Sequence, residues 1–555
     1  MGPVEGEPLR RWPLLLALGL LCGALAAILV ASAAATGGTF VYPQDDPYIH
    51  MAIAKHLARD GVWGVNASGF TSSASSLLWP ALLALWYRML GPSAVAPLVL
   101  NVALAAALVL WLDRALLRRG ASARVRGVAL LAVVLATPLP ALVHLGMEHT
   151  LHALAVAAFA VSASREAARS RTPDWSGLGG AALLAAVATA SRYEGLFVVL
   201  AACLVLAARR RWAAALAVGA AGLLPVLGYG AISLSKGWYL LPNSVLLKGS
   251  SPDVSTLSGA LRYATLGYKQ MLANPHILWL MIATAAALAW EVRRAARARN
   301  PAWSQSIALA VLFVVTASFH LQLSLSGWWM RHDAYVVCLG LVVLAHSPAA
   351  ETVERGIRTL SGEPRAVRLA VAALAALLVS PYALRAVGSL VKSPLAAKNI
   401  YEQQYQMGLF LREFYRGERV AANDIGAITY LGESECVDLT GLANMDFARA
   451  RRGGGPDQAA MERIARQSGV SIAILYEHWF PGRIPAAWSR VGEWTLPNNV
   501  SLGGDTVSFY AVDPGARAGL VERLSRFAGR LPPSVVQRVQ PDPLSHGPEA
   551  SSVAP

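Results

Sequence analysis

Thr39-Phe-Val-Tyr-Pro-Gln-Asp45-Asp46-Pro-Tyr-Ile-His50 follows closely on an apolar run from Pro13 to Ala35. That order decides the fold: the chain opens with a hydrophobic span, and two adjacent carboxylates stand just beyond it. The run is too long for the core of a signal peptide, and Arg10 and Arg11 precede it, so it reads as an uncleaved first crossing with its N-terminus inside. Asp46 precedes Pro47, and the residues up to Gly61 read as a helix closed by glycine. Asp46 therefore has a structural reading as the N-cap of that helix, with Pro47 at the favoured first position.

Working outward, 55% of the 555 residues are hydrophobic and 15% charged, and the mean hydropathy is +0.45. These values describe a polytopic membrane protein. The net charge of +15 does not point to nucleic acid, because the arginines lie in short runs between apolar spans. The runs are Arg114/Arg118/Arg119/Arg124/Arg126, Arg165/Arg169/Arg171, Arg209 to Arg211, Arg293/Arg294/Arg297/Arg299 and Arg355/Arg358/Arg365/Arg368. They mark the inside loops of a cytoplasmic membrane protein. Cys22, Cys203, Cys338 and Cys436 are far apart and suggest neither a disulfide framework nor a metal site.

If Ser76 to Leu90 crossed the bilayer, every later basic run would move outside, so that segment is expected to be re-entrant or to lie on the surface. About eleven crossings of bilayer length remain. They fall near 12–35, 94–113, 127–145, 150–164, 177–191, 195–208, 212–234, 276–290, 303–322, 333–347 and 369–388. The transmembrane domain is thus 1–388, with 36–93 as a first exoplasmic loop with surface helices. Past Ser389 short β-type runs at Arg419 to Asn423, Ser471 to Tyr476 and Val507 to Val512 alternate with helical patterns at Ile400 to Tyr415 and Gln458 to Gln467. Residues 389–530 read as an exoplasmic mixed α/β domain. The Pro- and Ser-rich 531–555 reads as a disordered tail.

This threading gathers the distinctive polar motifs on the outer side: Asp45-Asp46, Gly146-Met-Glu148-His-Thr150, Arg192-Tyr-Glu194-Gly195, Leu241-Pro-Asn243 with Lys248, and Arg331-His332-Asp333. Ionisable groups beside apolar spans are costly to place and mark functional cavities. Each also has a plainer reading. Glu148 suits the first turn of a helix, and Arg192 and Glu194 suit a structural ion pair. Lys248 and Arg331 suit snorkelling to headgroups, and Asn243 suits a loop. His50, His56 and His332 lack a metal-ligand spacing, although Asp46 and His50 lie one helical turn apart.

In this order the motifs resemble bacterial GT-C superfamily glycosyltransferases, in particular the terminal arabinofuranosyltransferase-like group. Val420-Ala-Ala-Asn-Asp424-Ile-Gly426-Ala-Ile-Thr-Tyr430, with Val437-Asp438-Leu-Thr-Gly441-Leu442, is similar to the opening of that group's exoplasmic domain. The resemblance implies a GT-C-like helical membrane protein. It would move a sugar from a polyprenyl-phosphate carrier to an acceptor hydroxyl on a glycan, lipid or protein. Such chemistry needs a carboxylate base for the hydroxyl and cations for the departing phosphate. Asp45 is the first choice as base, with Asp46 orienting it, binding the acceptor or helping to hold a cation. Two carboxylates facing one cavity would titrate as a pair. Glu148, Arg192, Glu194, Asn243, Lys248, Arg331 and His332 are the expected substrate-binding residues. A divalent cation, Mg or Mn, is an open expectation, with Asp45 and Asp46 as its ligands. The alternatives from other classes are a secondary transporter and a lipid-linked polysaccharide polymerase or ligase.

Overall fold

The computed structural model describes residues 11–169, 175–248, 256–297, 304–324 and 326–540. Arg10, Arg171, Arg299 and the tail beyond 540 lie outside the described residues. Helices occupy all eleven anticipated segments. Trp12–Ala35, Ala96–Arg118, Trp212–Ser235, Pro275–Arg297, Gln305–Leu323 and the helix from Arg365 are each long and apolar enough to cross a bilayer. By length and composition the described residues contain these six spans, or up to eight if each bent helix pair counts as one. The remaining anticipated segments include Trp175–Ser191 and Gly195–Ala208, which are apolar but short. The bundle interior is Leu-, Val- and Ala-rich, with Leu108, Val133, Phe159, Phe313 and Val337 fully buried.

Helix ends sort by chemistry. At one end lie the arginine runs: Arg126 donates to Asp113 at 2.9 and 2.7 Å, Arg119 to the Ala345 carbonyl and Arg211 to Glu166. At the other end lie the turns 36–45, 146–148, 192–194 and 326–333, under the C-terminal domain. Leu78–Leu90 has 13 residues, about 20 Å of helix and too short to span. It stays at the domain-bearing end, where Leu77 N–H donates to the Ala190 carbonyl and Trp79 Nε1 to the Gly146 carbonyl. Cysteines placed at Arg118 and at Gln467 are accordingly expected to react with an impermeant maleimide from opposite sides of sealed vesicles. Labelling of both from one side would contradict the arrangement.

The C-terminal domain is built on one six-stranded mixed sheet in the order β2-β1-β3-β5-β4-β6. The strands are β1 Arg419–Ala422, β2 Glu435–Asp438, β3 Ile472–Leu475, β4 Ser489–Thr495, β5 Thr506–Ala511 and β6 Val536–Val539. β1 runs parallel to β2 and β3, and the remaining pairs are antiparallel. Phe410, Trp494, Phe509 and Phe527 form the aromatic core against one face.

Two expectations about domain limits are corrected. β6 lies inside the segment read as structureless from 531: it pairs with β4, and Gln537 Oε1 accepts from the buried Trp494 Nε1 at 2.8 Å. The Pro- and Ser-rich composition hid a four-residue edge strand. The boundary read at 388/389 falls inside a helix. The helix Arg365–Ile400 runs straight through it and continues by a π turn, Tyr401–Tyr405, into Gln406–Phe414. The composition changes there because the helix passes from apolar surroundings into the domain, without a break in the backbone.

The first-loop helix Asp46–Asp60 is the floor on which the domain sits. Its Ile49 and Ile53 join the same core as Phe410, and Lys55 Nζ donates to the Tyr430 carbonyl at 3.2 Å. Asn66 exchanges two hydrogen bonds with the backbone of Cys436, at 2.9 and 3.0 Å, in the manner of an added strand residue.

Candidate active site

A cavity of about 310 Å³ lies between the helix ends and the domain. Its polar side carries Asp46, His50, Arg192, Glu194, Arg331 and His332; its other wall is Leu196, Phe197, Leu241, Val245 and Leu323. Leu442 of the C-terminal domain closes it. The cavity is therefore amphipathic, lined by ionic and apolar side chains together.

Five charged side chains organise the polar side. Arg331 Nη2 donates to Asp46 Oδ2 at 2.6 Å. Arg192 forks onto Glu194 at 3.2 and 2.8 Å and reaches Glu148 Oε1 with Nη1 at 2.6 Å. Burial pushes the Glu194 carboxyl up, but the Arg192 guanidinium outweighs it and holds the group well below the usual carboxylate range. The Arg-x-Glu-Gly turn needs its glycine, because a Cβ on Gly195 would press into the backbone of Ala188 and Thr189. His332 Nδ1 lies 3.5 Å from Arg192 Nη2.

Arg331 is poorly satisfied for a buried cation. Only 5% of the residue is exposed, its Nε has no hydrogen-bond partner, and its Nη1 meets only the thioether sulfur of Met147, a weak acceptor. It follows two non-glycine residues in the left-handed region, Trp329 at φ 51° and Met330 at φ 56°. Such backbone is unfavourable by about 1–3 kcal/mol per residue and clusters at sites where a side chain must be aimed. Below the turn, Asp333 is held by Arg385 at 2.9 and 3.2 Å and by His276, which pins this loop to two further helices.

The sequence expectations separate here. Asp46, Arg192, Glu194, Arg331 and His332 line the cavity. Glu148 stands behind it, fully buried, and braces Arg192. Asp45 turns the other way: its two carboxylate oxygens accept from Gly426 N–H and Ala427 N–H, both at 2.7 Å. This corrects the choice of Asp45 as the group facing the cavity, and the reading of Asp46 as a cap. Neither side chain caps the helix Asp46–Asp60; Asp45 caps Gly426–Gly432 instead. The Asp45 carboxyl is strongly perturbed. Burial, then the neighbouring Asp424, push the Asp45 carboxyl from 3.8 up to about 8, with Asp46 a lesser influence.

The folded protein thus keeps a proton on Asp45 that the unfolded chain releases. The contribution of Asp45 to stability is therefore full below pH 3.8 and is lost as the pH rises to about 8. Thermal unfolding in detergent across that range is expected to show this slope in the wild type and a flatter one in Asp45→Asn.

Asn243 is also engaged elsewhere: its Nδ2 donates to the Gly441 carbonyl at 2.7 Å, which ties the cavity loop to the domain. Lys248 ends the short helix Asn243–Lys248; its side chain lies outside the described residues. No cluster of three or more metal-ligating side chains occurs among the described residues.

Sequence reasoning weighed His50 only as a metal ligand and did not single out Ser75. His50 is 2% exposed; its Nδ1 lies 3.3 Å from Glu148 Oε2 and its Nε2 3.3 Å from Ser75 Oγ, which donates to Glu148 Oε1. Burial pushes the imidazolium down against the pull of Glu148 and Asp46. The one-turn spacing from Asp46 was the available signal.

Fold and cavity together define a multi-pass membrane protein whose amphipathic pocket is roofed by a mixed α/β domain. A family model described as a domain of unknown function, DUF8728, matches residues 398–510. No curated protein matches the sequence. Among solved structures, the chain is similar to ArnT from Cupriavidus metallidurans bound to undecaprenyl phosphate, with 14% identity and a TM-score of 0.49 over 89% of this chain and 98% of that one. The apo form of the same protein matches with 14% identity and a TM-score of 0.49 over 90% and 99%. The arabinofuranosyltransferase AftD from Mycobacteria matches with 16% identity and a TM-score of 0.40 over 91% of this chain and 42% of that one.

Proposed function

We propose that the protein is a GT-C-type glycosyltransferase that moves a sugar from a polyprenyl-phosphate carrier to an acceptor hydroxyl on the outer face of the cytoplasmic membrane. The observation that carries this reading is Arg331, a buried and under-satisfied guanidinium placed between a carboxylate and an aliphatic wall. A lipid phosphate needs such a cavity: cations for its head and apolar surface for its chain.

Asp46 is the base in this reading. The acceptor oxygen bonds to the anomeric carbon as the sugar–phosphate bond breaks. The bonding pair leaves with the phosphate, and the hydroxyl proton passes to Asp46. Arg331 takes up the charge that develops on the leaving oxygen. Arg192, held by Glu148 and Glu194, adds a fixed positive field beside it. No step is assigned to a divalent cation, since the two aspartates do not converge. A transporter would place its polar groups near the midplane between repeated halves, whereas here they gather at helix ends under a domain.

Purified protein in lipid, given a panel of labelled polyprenyl-phosphate sugars, is expected to transfer label to an acceptor from at least one of them. Uptake into sealed vesicles without any glycosyl transfer would favour the transporter instead.

A further inference from the structure

We infer that the C-terminal domain is a working part of the catalytic cavity, whose task is to hold Asp46 in place. This rests on the assignment of Asp46 as base. The domain of unknown function thereby acquires a physical role as a positioning element, distinct from a module that only selects acceptors.

Three contacts lead from the domain to the cavity. The first is the grip on Asp45, whose carboxylate accepts from the first two N–H groups of Gly426–Gly432 at 2.7 Å each. Asp45 and Asp46 share a peptide bond, so fixing one carboxylate fixes the backbone from which the other projects. The fit is close: a Cβ on Gly426 would collide with the Asp45 carbonyl and lie 2.7 Å from its carboxylate, so position 426 admits only glycine while the grip is closed. The second is Asn243, which binds the Gly441 carbonyl and carries on into Ser244 and Val245 of the cavity lining. The third is Leu442, which lines the cavity itself. All three domain partners, at 426–427, 441 and 442, lie inside the matched segment 398–510.

The alternative is that these contacts merely dock the domain. Asn66 separates the two cases, because its pair of bonds to Cys436 docks the same domain away from Asp46. The experiment compares Asp45→Ala, Asp45→Asn, Gly426→Ala and Asn66→Ala in the full-length protein in lipid, by hydrogen exchange and by transfer kinetics. In Asp45→Ala and Gly426→Ala, exchange over residues 42–50 is expected to rise about tenfold or more, and kcat to fall about tenfold or more with the donor KM held within about twofold. Asp45→Asn keeps one acceptor oxygen and is expected to fall between these and the wild type. Asn66→Ala is expected to leave exchange over 42–50 and kcat unchanged.

Unchanged protection of 42–50 in all the Asp45 and Gly426 variants would overturn the inference. So would an Asn66→Ala variant that loses as much kcat as Asp45→Ala, since that would show a docking effect alone. A wild type that transfers nothing would count against Asp46 as base, while the exchange result would still decide whether the domain holds the loop.

Discussion

Asp46→Asn is expected to lower glycosyl transfer by about a thousandfold, within the range that loss of a general base produces, while binding of the lipid phosphate is kept or strengthened. The reason lies in the Asp46–Arg331 pair. A carboxylate held by a guanidinium at 2.6 Å is a weak base, because the cation favours its ionised form. An arriving phosphate competes for the same guanidinium, and Arg331 has its Nε free of any partner to begin that exchange. Donor binding then loosens the cation's hold on Asp46 and raises its basicity at the moment the hydroxyl must be deprotonated. The asparagine variant cannot accept that proton, yet it no longer competes for Arg331. Product formation and the equilibrium binding of undecaprenyl phosphate, measured side by side, are thus expected to move apart. An Asp46→Asn variant that retains a tenth or more of wild-type transfer would remove the base assignment.

Arg331→Gln is the second large effect. Transfer is expected to fall by about a hundred- to a thousandfold, the range seen when a donor to a developing oxyanion is removed, and lipid-phosphate binding is expected to weaken with it. In contrast to Asp46→Asn, both quantities fall together. Arg331→Lys is expected to restore little, since a point charge cannot fork between a carboxylate and a phosphate. In the double variant, the gain in binding that Asp46→Asn gives alone should vanish, because the contested group is gone; full persistence of that gain would refute the competition.

How much of this was legible in the sequence depends on which physical signal carries each part. The helices were, because hydropathy reports their length and the arginine runs report which helix ends belong together; even the short Leu78–Leu90 was excluded as a span on the arithmetic of charge. Gathering Asp46, Glu148, Arg192, Glu194 and Arg331 at one end followed from the same count. The division of labour between Asp45 and Asp46 did not. Two neighbours at the start of a helix point in different directions, and the partner that claims Asp45 is a pair of backbone N–H groups some 380 residues away. No residue type announces such a partner. Asn243 was singled out for substrate, but its partner was hidden in the same way, since the Gly441 carbonyl it binds is invisible to any side-chain pattern. β6 was missed because a four-residue edge strand is recognised by its neighbour β4, and its own composition resembles a loop.

The unbroken helix from Arg365 to Phe414, 50 residues long, makes the roof a rigid outgrowth of the bundle. Its angular setting is dictated by helical phase: one residue inserted or deleted near 390 would swing the whole roof by about 100° around the shaft and carry Gly426 away from its partner. Grafting this roof onto a relative, or excising it, therefore requires a cut made in register within the helix. A separate roof beginning at residue 401 would also lack Ala396, Ala397 and Ile400, which are buried side chains, and leave bare the surface they cover.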